Sequence, residues 1–401
     1  MLQKGVYPLY PTPGETMQQK RKVFSRIADF CAELRPIEDL CYIEHTYNDQ
    51  LIPLAKRHKL LGMPVHKQYG GLGLNNREYA NALALIAREG AGIRTFFSGH
   101  TSLGQKTIQE FGSKALKEKY LRPSTNGGKL FAFALTEPEA GSNPLALETT
   151  YKEKGNTYIL NGVKYLISNS GIAHAIIVFA RGPNKKISAF VVDADSDGIA
   201  REDLAAKMGM PTTNTGMFEL CNVVVPKQNL IGKKDDGWNI AKHSLMNGRL
   251  SVAAGCIGVI QDCLQESAQF AKERFQHGKV IARHQLVQEH LSSIKIHLES
   301  TKLMVEKAAS FKDQYEAKPS KELLHATDTA ITEAKLFASN AAWDAADRAV
   351  QVFGGRGWSF LYRPGRHLVD TRVCRIYEGT DEILKLKIAA SLLGEEYSAY
   401  S

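Results

Sequence analysis

At 401 residues the chain is longer than one ordinary core requires and has room for two or three compact units. A composition of 43% hydrophobic and 23% charged residues excludes a disordered or fibrous polymer, and no run reaches the roughly 18 apolar residues of a membrane helix. The net charge of +9 would suit nucleic acid, but basic and acidic residues are interspersed without long like-charge blocks, so a small anionic ligand such as a nucleotide or coenzyme explains it as well.

The first fifteen residues, MLQKGVYPLYPTPGE, contain neither a secretory apolar core nor an Arg-rich and Ser-rich transit segment, which leads to the expectation of a cytoplasmic protein. Residues 1–128 read as an all-α domain, with apolar residues at helical spacing from Glu78 to Ala91 and a Gly-rich loop from Gly62 to Gly73. Residues 129–235 change grammar. Short apolar runs (TYIL, VKYLIS, AIIVFA, ISAFVV, NVVV) are broken by turn dipeptides, and Asn161-Gly162 between the first two predicts a hairpin turn.

Residues 236–401 return to helical stripes. Ala253, Ile257, Ile260, Leu264, Ala268 and Ala271 form one; Val287, Leu291, Ile294, Leu298, Val305 and Ala308 form another once Thr301 is admitted. A third ends at Gly354-Gly355, and a last helix starts after an N-cap at Thr380 and stops at Gly394. The expected fold is α+β and multidomain: an N-terminal helical domain, a middle antiparallel β-barrel or sandwich domain, and a C-terminal four-helix bundle. The six cysteines, Cys31, Cys41, Cys221, Cys256, Cys263 and Cys374, show no CxxC spacing, so reduced thiols and no metal site are expected.

Five segments stand out chemically, and each has a plain structural explanation. Phe133–Ser142 supplies hydroxyls (Thr136, Ser142) and a glycine, Gly141, that lets backbone approach a ligand, though it could be a bare turn. Lys164–Asn169 reads as a strand with Ser168 facing solvent. The basic run from Arg274 to Gln285 reads as a solvated break between helices, and Gln351–Trp358 as a helix terminator. In Ile376–Leu384, Glu378 precedes the last helix, where a carboxylate often serves only the helix dipole.

Together and in this order, these segments resemble the acyl-CoA dehydrogenase family over about residues 60–394. The resemblance includes Tyr69–Gly73 (YGGLG), TEPEAGS, Thr215–Gly232, the GRLSVAAG helix start containing Arg249, QVFGG and IYEGT. It implies an FAD-dependent enzyme in which Glu378 removes the proton α to an acyl-CoA thioester while the flavin accepts the β hydride. Tyr377 and Gly379 would line the acyl pocket. Phe133, Leu135, Thr136, Gly141 and Ser142 would face the flavin, with Ser142 also near the thioester, and Leu166, Ile167 and Ser168 would form its other wall. Arg274, His277, Gln285, Gln351, Gly354 and Gly355 correspond to positions that hold the FAD of a neighbouring subunit; Thr380 and Asp381 approach its adenine side, and Arg249 lies by the coenzyme end. The family also implies a dimer or tetramer and an electron-transfer flavoprotein as acceptor.

The chain departs from the family at Leu166, where an indole is usual, at His277 in place of Phe, and at Met246 in place of an acid. Where some members carry the base immediately before the helix-start arginine, this chain has Gly248, leaving Glu378 for that role. Met246 favours one rival, a carrier-protein-bound acyl substrate. A flavin monooxygenase is a second, disfavoured because it needs no base at Glu378, and a nucleic-acid binder ranks last. Phe96 and Phe97 read as core, or as narrowing the pocket.

Overall fold

The computed structural model describes residues 17–399, so the reading of the first fifteen residues lies outside the described part. Two long N-terminal segments open the chain: α1 (Met17–Glu44) and, after the short α2 (Leu51–Arg57), α3 (Asn76–Ala87). Asn75 caps α3 by accepting from the Glu78 N–H at 2.9 Å while Glu78 reaches back to the Asn75 N–H at 3.1 Å, a reciprocal box that fixes where the helix begins. The stripe expected to run to Ala91 breaks at Gly90. There α4 (Ala91–Phe97) starts and continues through a π-helical stretch, Ser98–Gln105, into α5 (Lys106–Phe111), with single turns α6 (Lys114–Leu116) and α7 (Arg122–Ser124) beyond. A widened π segment re-aims side chains within a continuous helix, a device common at functional sites.

The middle segment is an eight-stranded sheet: β1 (Phe131–Ala134), β2 (Thr150–Lys154), β3 (Thr157–Ser168), β4 (Ala175–Arg181), β5 (Ile187–Asp193), β6 (Ile199–Asp203), β7 (Thr215–Pro226) and β8 (Leu230–Ile231). The order is β6-β7-β3-β2-β4-β5-β8, with β1 attached to β4. Two expectations need correction. The sheet is mixed rather than wholly antiparallel, because β1 runs parallel to β4 from Phe131 opposite Ala175 to Ala134 opposite Val178. Asn161-Gly162 is not a hairpin turn either. TYIL and VKYLIS form one strand, β3, with a register shift at Gly162, and the turn lies earlier, at Gly155-Asn156. Gly162 has φ +150°, and a side chain there would collide with Thr149, so this glycine serves a bulge where strands approach closely.

The last segment holds three helices of more than thirty residues, α8 (Gly237–Glu273), α9 (Gln285–Ala317) and α10 (Lys321–Phe353), and two shorter ones, α11 (Arg363–Arg372) and α12 (Asp381–Leu393). The expected four-helix bundle is therefore joined by a fifth helix, α11. Its buried residues are mostly charged or polar (Arg363, Arg366, His367, Asp370), which left no apolar stripe to read. Along α8 and α9 the expected stripe residues Ala253, Ile257, Ile260, Leu264, Ile294, Leu298, Val305 and Ala308 are buried in one core with Leu83 and Ala84 of α3. Gly258 allows α8 to lie directly on α3, since a Cβ there would strike the Ala84 carbonyl. At the other end of α8, a short hairpin pairs β9 (Phe275–Gln276) with β10 (Lys279–Val280).

Candidate active site

Glu378 sits in the tight connection between α11 and α12 with φ +56°, followed by Gly379 at +98°. A left-handed glutamate is uncommon and persists only where its surroundings enforce it. Two cations do so by gripping consecutive carbonyls: Arg249 Nε donates to the Glu378 oxygen at 2.9 Å, and Lys335 Nζ donates to the Gly379 oxygen at 2.7 Å. Thr380 then caps α12 by accepting from the Ile383 N–H, and Asp381 is held by Arg375 at 2.8 Å and Asn340 at 2.9 Å.

This backbone sends the Glu378 side chain inward. The residue as a whole is half-buried, yet its Oε2 is out of contact with solvent and accepts no hydrogen bond. The carboxyl carbon and both oxygens rest on Gly248 of α8, where any side chain would occupy the same space. Burial pushes the acid up to about 7, against the partial opposition of Arg249, Arg94 and Lys335. A carboxyl group with that affinity exchanges a proton near neutrality, as a general base must.

The two segments expected to flank the flavin are welded together. Lys164 of β3, fully buried, donates to Glu137 at 2.6 Å and to the Leu135 carbonyl at 3.2 Å, and the Tyr165 N–H donates to the Thr136 carbonyl at 2.9 Å. Phe133 and Leu135 are nearly buried under this joint, and Ile167 is buried behind it, whereas Gly141 and Ser142 are exposed and Thr136 and Ser168 half-exposed. The hydroxyls of Thr136, Ser142 and Ser168 make no hydrogen bond among the described residues, and a Cβ at Gly141 would meet nothing within 4 Å. Leu166, 51% exposed with φ +57°, projects from the irregular step between Lys164 and Ile167. Exposed apolar surface beside unspent donors and an open glycine is what a flat, polar-edged ring such as a flavin requires, so these residues fit FAD.

One helical segment joins the two halves of the site. Asn169, next to Ser168, donates to the Phe96 carbonyl at 3.2 Å, and Gly99 packs against Asn169 and Ser168. Two residues before Phe96, Arg94 donates to the Tyr377 hydroxyl, which brings the strand wall and the glutamate turn to one region.

One group of the predicted residues lies apart from this cluster. Arg274, His277, Gln285, Gln351, Gly354 and Gly355 are all exposed, gathered where the ends of α8 and α10 meet the β9–β10 hairpin around Ala271, Ile281 and Val352. Cβ atoms built at Gly278, Gly354 and Gly355 would meet nothing within 4 Å. Asp381 is buried and committed to Arg375 and Asn340. Arg249 touches the glutamate turn itself. Sequence reasoning missed Arg94, Lys335 and the Glu137–Lys164 pair. The available signal was a lone cation within apolar helix, as in AGIRTFF and TEAKLF, since such a charge must be buried with partners or aimed at a site.

Three family models match in succession: acyl-CoA dehydrogenase N-terminal domain over residues 17–128, middle domain over 132–223 and C-terminal domain over 235–393. An acyl-CoA dehydrogenase of Bacillus subtilis (strain 168) is 36% identical over 391 residues, covering 96% of this chain and all of that protein. The very long-chain specific mitochondrial acyl-CoA dehydrogenase of Homo sapiens is 36% identical over 82% of this chain, which spans 50% of that protein's length. Among solved structures, butyryl-CoA dehydrogenase from Megasphaera elsdenii superposes with a TM-score of 0.88 at 31% identity, covering 95% of this chain and all of the other. Continuous coverage at this identity, with the same fold, settles the classification: the chain belongs to the acyl-CoA dehydrogenase family.

Proposed function

We infer that the chain is an FAD-dependent acyl-CoA dehydrogenase that forms the α,β double bond of an acyl-CoA thioester, with Glu378 as the α-proton acceptor. The observation that carries the assignment of Glu378 is its inward carboxyl group, without a partner on Oε2 and raised to about 7 by burial. Such an oxygen has a lone pair available for a C–H proton, and little solvent competes for it. FAD, when bound, would supply the hydride acceptor.

The other roles follow from what each residue holds. Arg249 and Lys335 fix the turn and so aim the carboxylate. Gly248 leaves the space it occupies. Tyr377 and Gly379 border the acyl group, while Thr136, Ser142 and Ser168 offer hydroxyls to the flavin, with Phe133, Leu135, Gly141, Leu166 and Ile167 shaping its seat. The exposed group of Arg274, His277, Gln285, Gln351, Gly354 and Gly355 serves the FAD of a neighbouring subunit in a dimer or tetramer, a reading supported by exposure and by open space over its glycines. Residues 1–128, 129–235 and 236–401 act as three units around this site. An electron-transfer flavoprotein would reoxidise the flavin, and a cytoplasmic location is consistent with the absence, among the described residues, of any helix long and apolar enough to cross a membrane.

The test is anaerobic titration of the yellow holoenzyme with acyl-CoA thioesters. Wild type should bleach its flavin absorbance; Glu378→Gln should retain FAD and lose bleaching. Undiminished bleaching in that variant would remove Glu378 from the role.

A further inference from the structure

The six cysteines are all free thiols, and four of them sit alone. Cys31 and Cys263 are buried singly; burial, helped by Glu89 beside one and Asp262 beside the other, pushes each thiol up and keeps it inert. Cys221 is exposed and Cys41 partly so. Cys256 and Cys374 are different. They are 2% and 4% exposed, and the fold brings them together from distant parts of the chain so that their thiols hydrogen-bond to one another. Cys256 stands on α8 next to Gly255, and Cys374 stands in the single turn Val373–Arg375 that leads from α11 to Glu378. Cys374 Sγ lies 3.3 Å from the Tyr377 hydroxyl, which also takes a hydrogen bond from Arg94, and a Cβ at Gly255 would come 2.9 Å from Arg94 Nε.

A guanidinium, a phenol and two thiols are thus gathered directly behind the glutamate turn, and removal of an α proton uses neither sulfur. The two thiols are also unequal. The hydrogen bond from Cys256 and the charges of Arg94 and Lys335 outweigh burial and hold the Cys374 thiol below its ordinary value, while the same hydrogen bond and burial push Cys256 up. An acidified thiol is a nucleophile, and a neighbour that keeps its proton can resolve the oxidised product it forms.

We propose that Cys256 and Cys374 form a reversible disulfide under peroxide, and that this bond switches the enzyme off. The Cys374 thiolate attacks one oxygen of the peroxide, the O–O bond breaks, and the sulfur becomes a sulfenic acid as hydroxide leaves. The Cys256 sulfur then attacks that sulfur, the S–O bond breaks, and the departing hydroxide takes the Cys256 proton. Two thiols and one hydrogen peroxide give one disulfide and two waters; a dithiol reverses the change by exchange. Drawing Cys374 toward α8 pulls it from Tyr377 and strains the turn that Arg249 and Lys335 hold, so the Glu378 carboxylate is displaced. The proposal rests on the dehydrogenase reading for the entry of oxidant, through the acyl pocket that Tyr377 borders, and for the effect on rate. The bond itself does not depend on it.

The experiment treats holoenzyme with hydrogen peroxide, digests it without reductant for mass spectrometry, and follows flavin reduction by an acyl-CoA in parallel. A peptide joining Cys256 to Cys374 should appear and vanish with dithiothreitol, and the reduction rate should fall by roughly ten- to a hundredfold as the bond forms, the size of effect a displaced base gives, and recover as the bond is broken. An unreactive acyl-CoA thioether bound beforehand should slow bond formation by about tenfold or more, as expected when the pocket is closed to solvent. Cys256→Ala should reduce its flavin normally before treatment, form no cross-link, and pass on to the Cys374 sulfinic acid, which dithiothreitol does not reverse. Loss of rate without the joined peptide, or the joined peptide without loss of rate, overturns the proposal, and these wild-type arms need no variant to fold. A Cys256→Ala enzyme that loses and regains its rate as wild type does also overturns it. A disulfide that forms in a protein whose flavin no thioester bleaches would sink the dehydrogenase reading and uphold the thiol chemistry.

Discussion

Asp262 and Glu378 are both carboxylates carried deep into the helical part of the molecule, and they have opposite chemistry. Burial would raise the acid of Asp262, but Arg363 at 2.7 Å, His367 at 2.8 Å and Arg35 at 3.0 Å outweigh it and hold the group well below the ordinary range. Around Glu378 the balance reverses. Arg249, Arg94 and Lys335 contribute charge, but none donates a hydrogen bond to the carboxylate, so burial wins and the acid rises to about 7. Depth alone therefore does not make a base. What separates an anchor from a reactive group is whether donors reach the oxygens, and the chain spends Arg249 and Lys335 on the carbonyls of the glutamate turn instead.

The largest expected effect tests the reactive side. Glu378→Gln should slow flavin reduction by about a thousandfold or more, near the upper end of what a positioned base contributes, and the wild-type rate should rise as pH climbs through about 7, where the carboxylate forms. Next comes the anchor: Asp262→Ala removes the acid that Arg363, His367 and Arg35 share, leaving Arg363 with Asp39 and half-buried Arg35 with Glu89, and should lower stability by up to about 3–5 kcal/mol in denaturant unfolding, with the reduction rate of the folded fraction little changed. A third expectation joins the two. The folded-state acid of Glu378 lies above its unfolded value, so the native state binds the proton more tightly. Its ionisation then destabilises the fold as pH rises from about 4.5 to about 7, by roughly 3 kcal/mol at most. Glu378→Gln lacks this penalty and should unfold at a higher temperature than wild type at pH 8, with the gap closing toward pH 4.5. A gap independent of pH would show that Glu378 is not held out of solvent.

The contrast also marks what the sequence could reveal. The helical, β, helical order was legible because apolar spacing changes from about 3.6 to short alternating runs and back. The glutamate turn was found through its resemblance to a known motif, since a single acid before a helix says little on its own. Helix α11 escaped because it buries Arg363, Arg366 and Asp370 in ion pairs and hydrogen bonds rather than an apolar stripe, and the Asp262 anchor escaped with it. Asn161-Gly162 misled because local turn chemistry cannot report that Thr149 lies across from Gly162. The parallel pairing of β1 with β4 links residues more than forty positions apart, beyond any short-range pattern. Arg94 and Lys335 gain meaning only from what the fold places opposite them.

The smallest expected effect is the most local. Gly248 is the floor on which the Glu378 carboxylate rests, and a methyl group there would fall within contact of the carboxyl carbon and both oxygens. The helix around it is packed on both sides, with Asn247 and Arg249 buried, so the side chain at 378 must yield rather than α8. Gly248→Ala should therefore fold with a stability loss of about 1–3 kcal/mol, as for an overfilled site, and slow flavin reduction by roughly ten- to a hundredfold through misplacement of the base. The pH profile identifies the cause. A carboxylate pushed off its dry seat regains water, its acid falls back toward the ordinary glutamate range, and the midpoint of the rate profile moves below about 7. A slowed variant whose midpoint stays put would place the damage elsewhere, in the acyl pocket or the flavin seat, and would break the link between the buried floor and the raised acid.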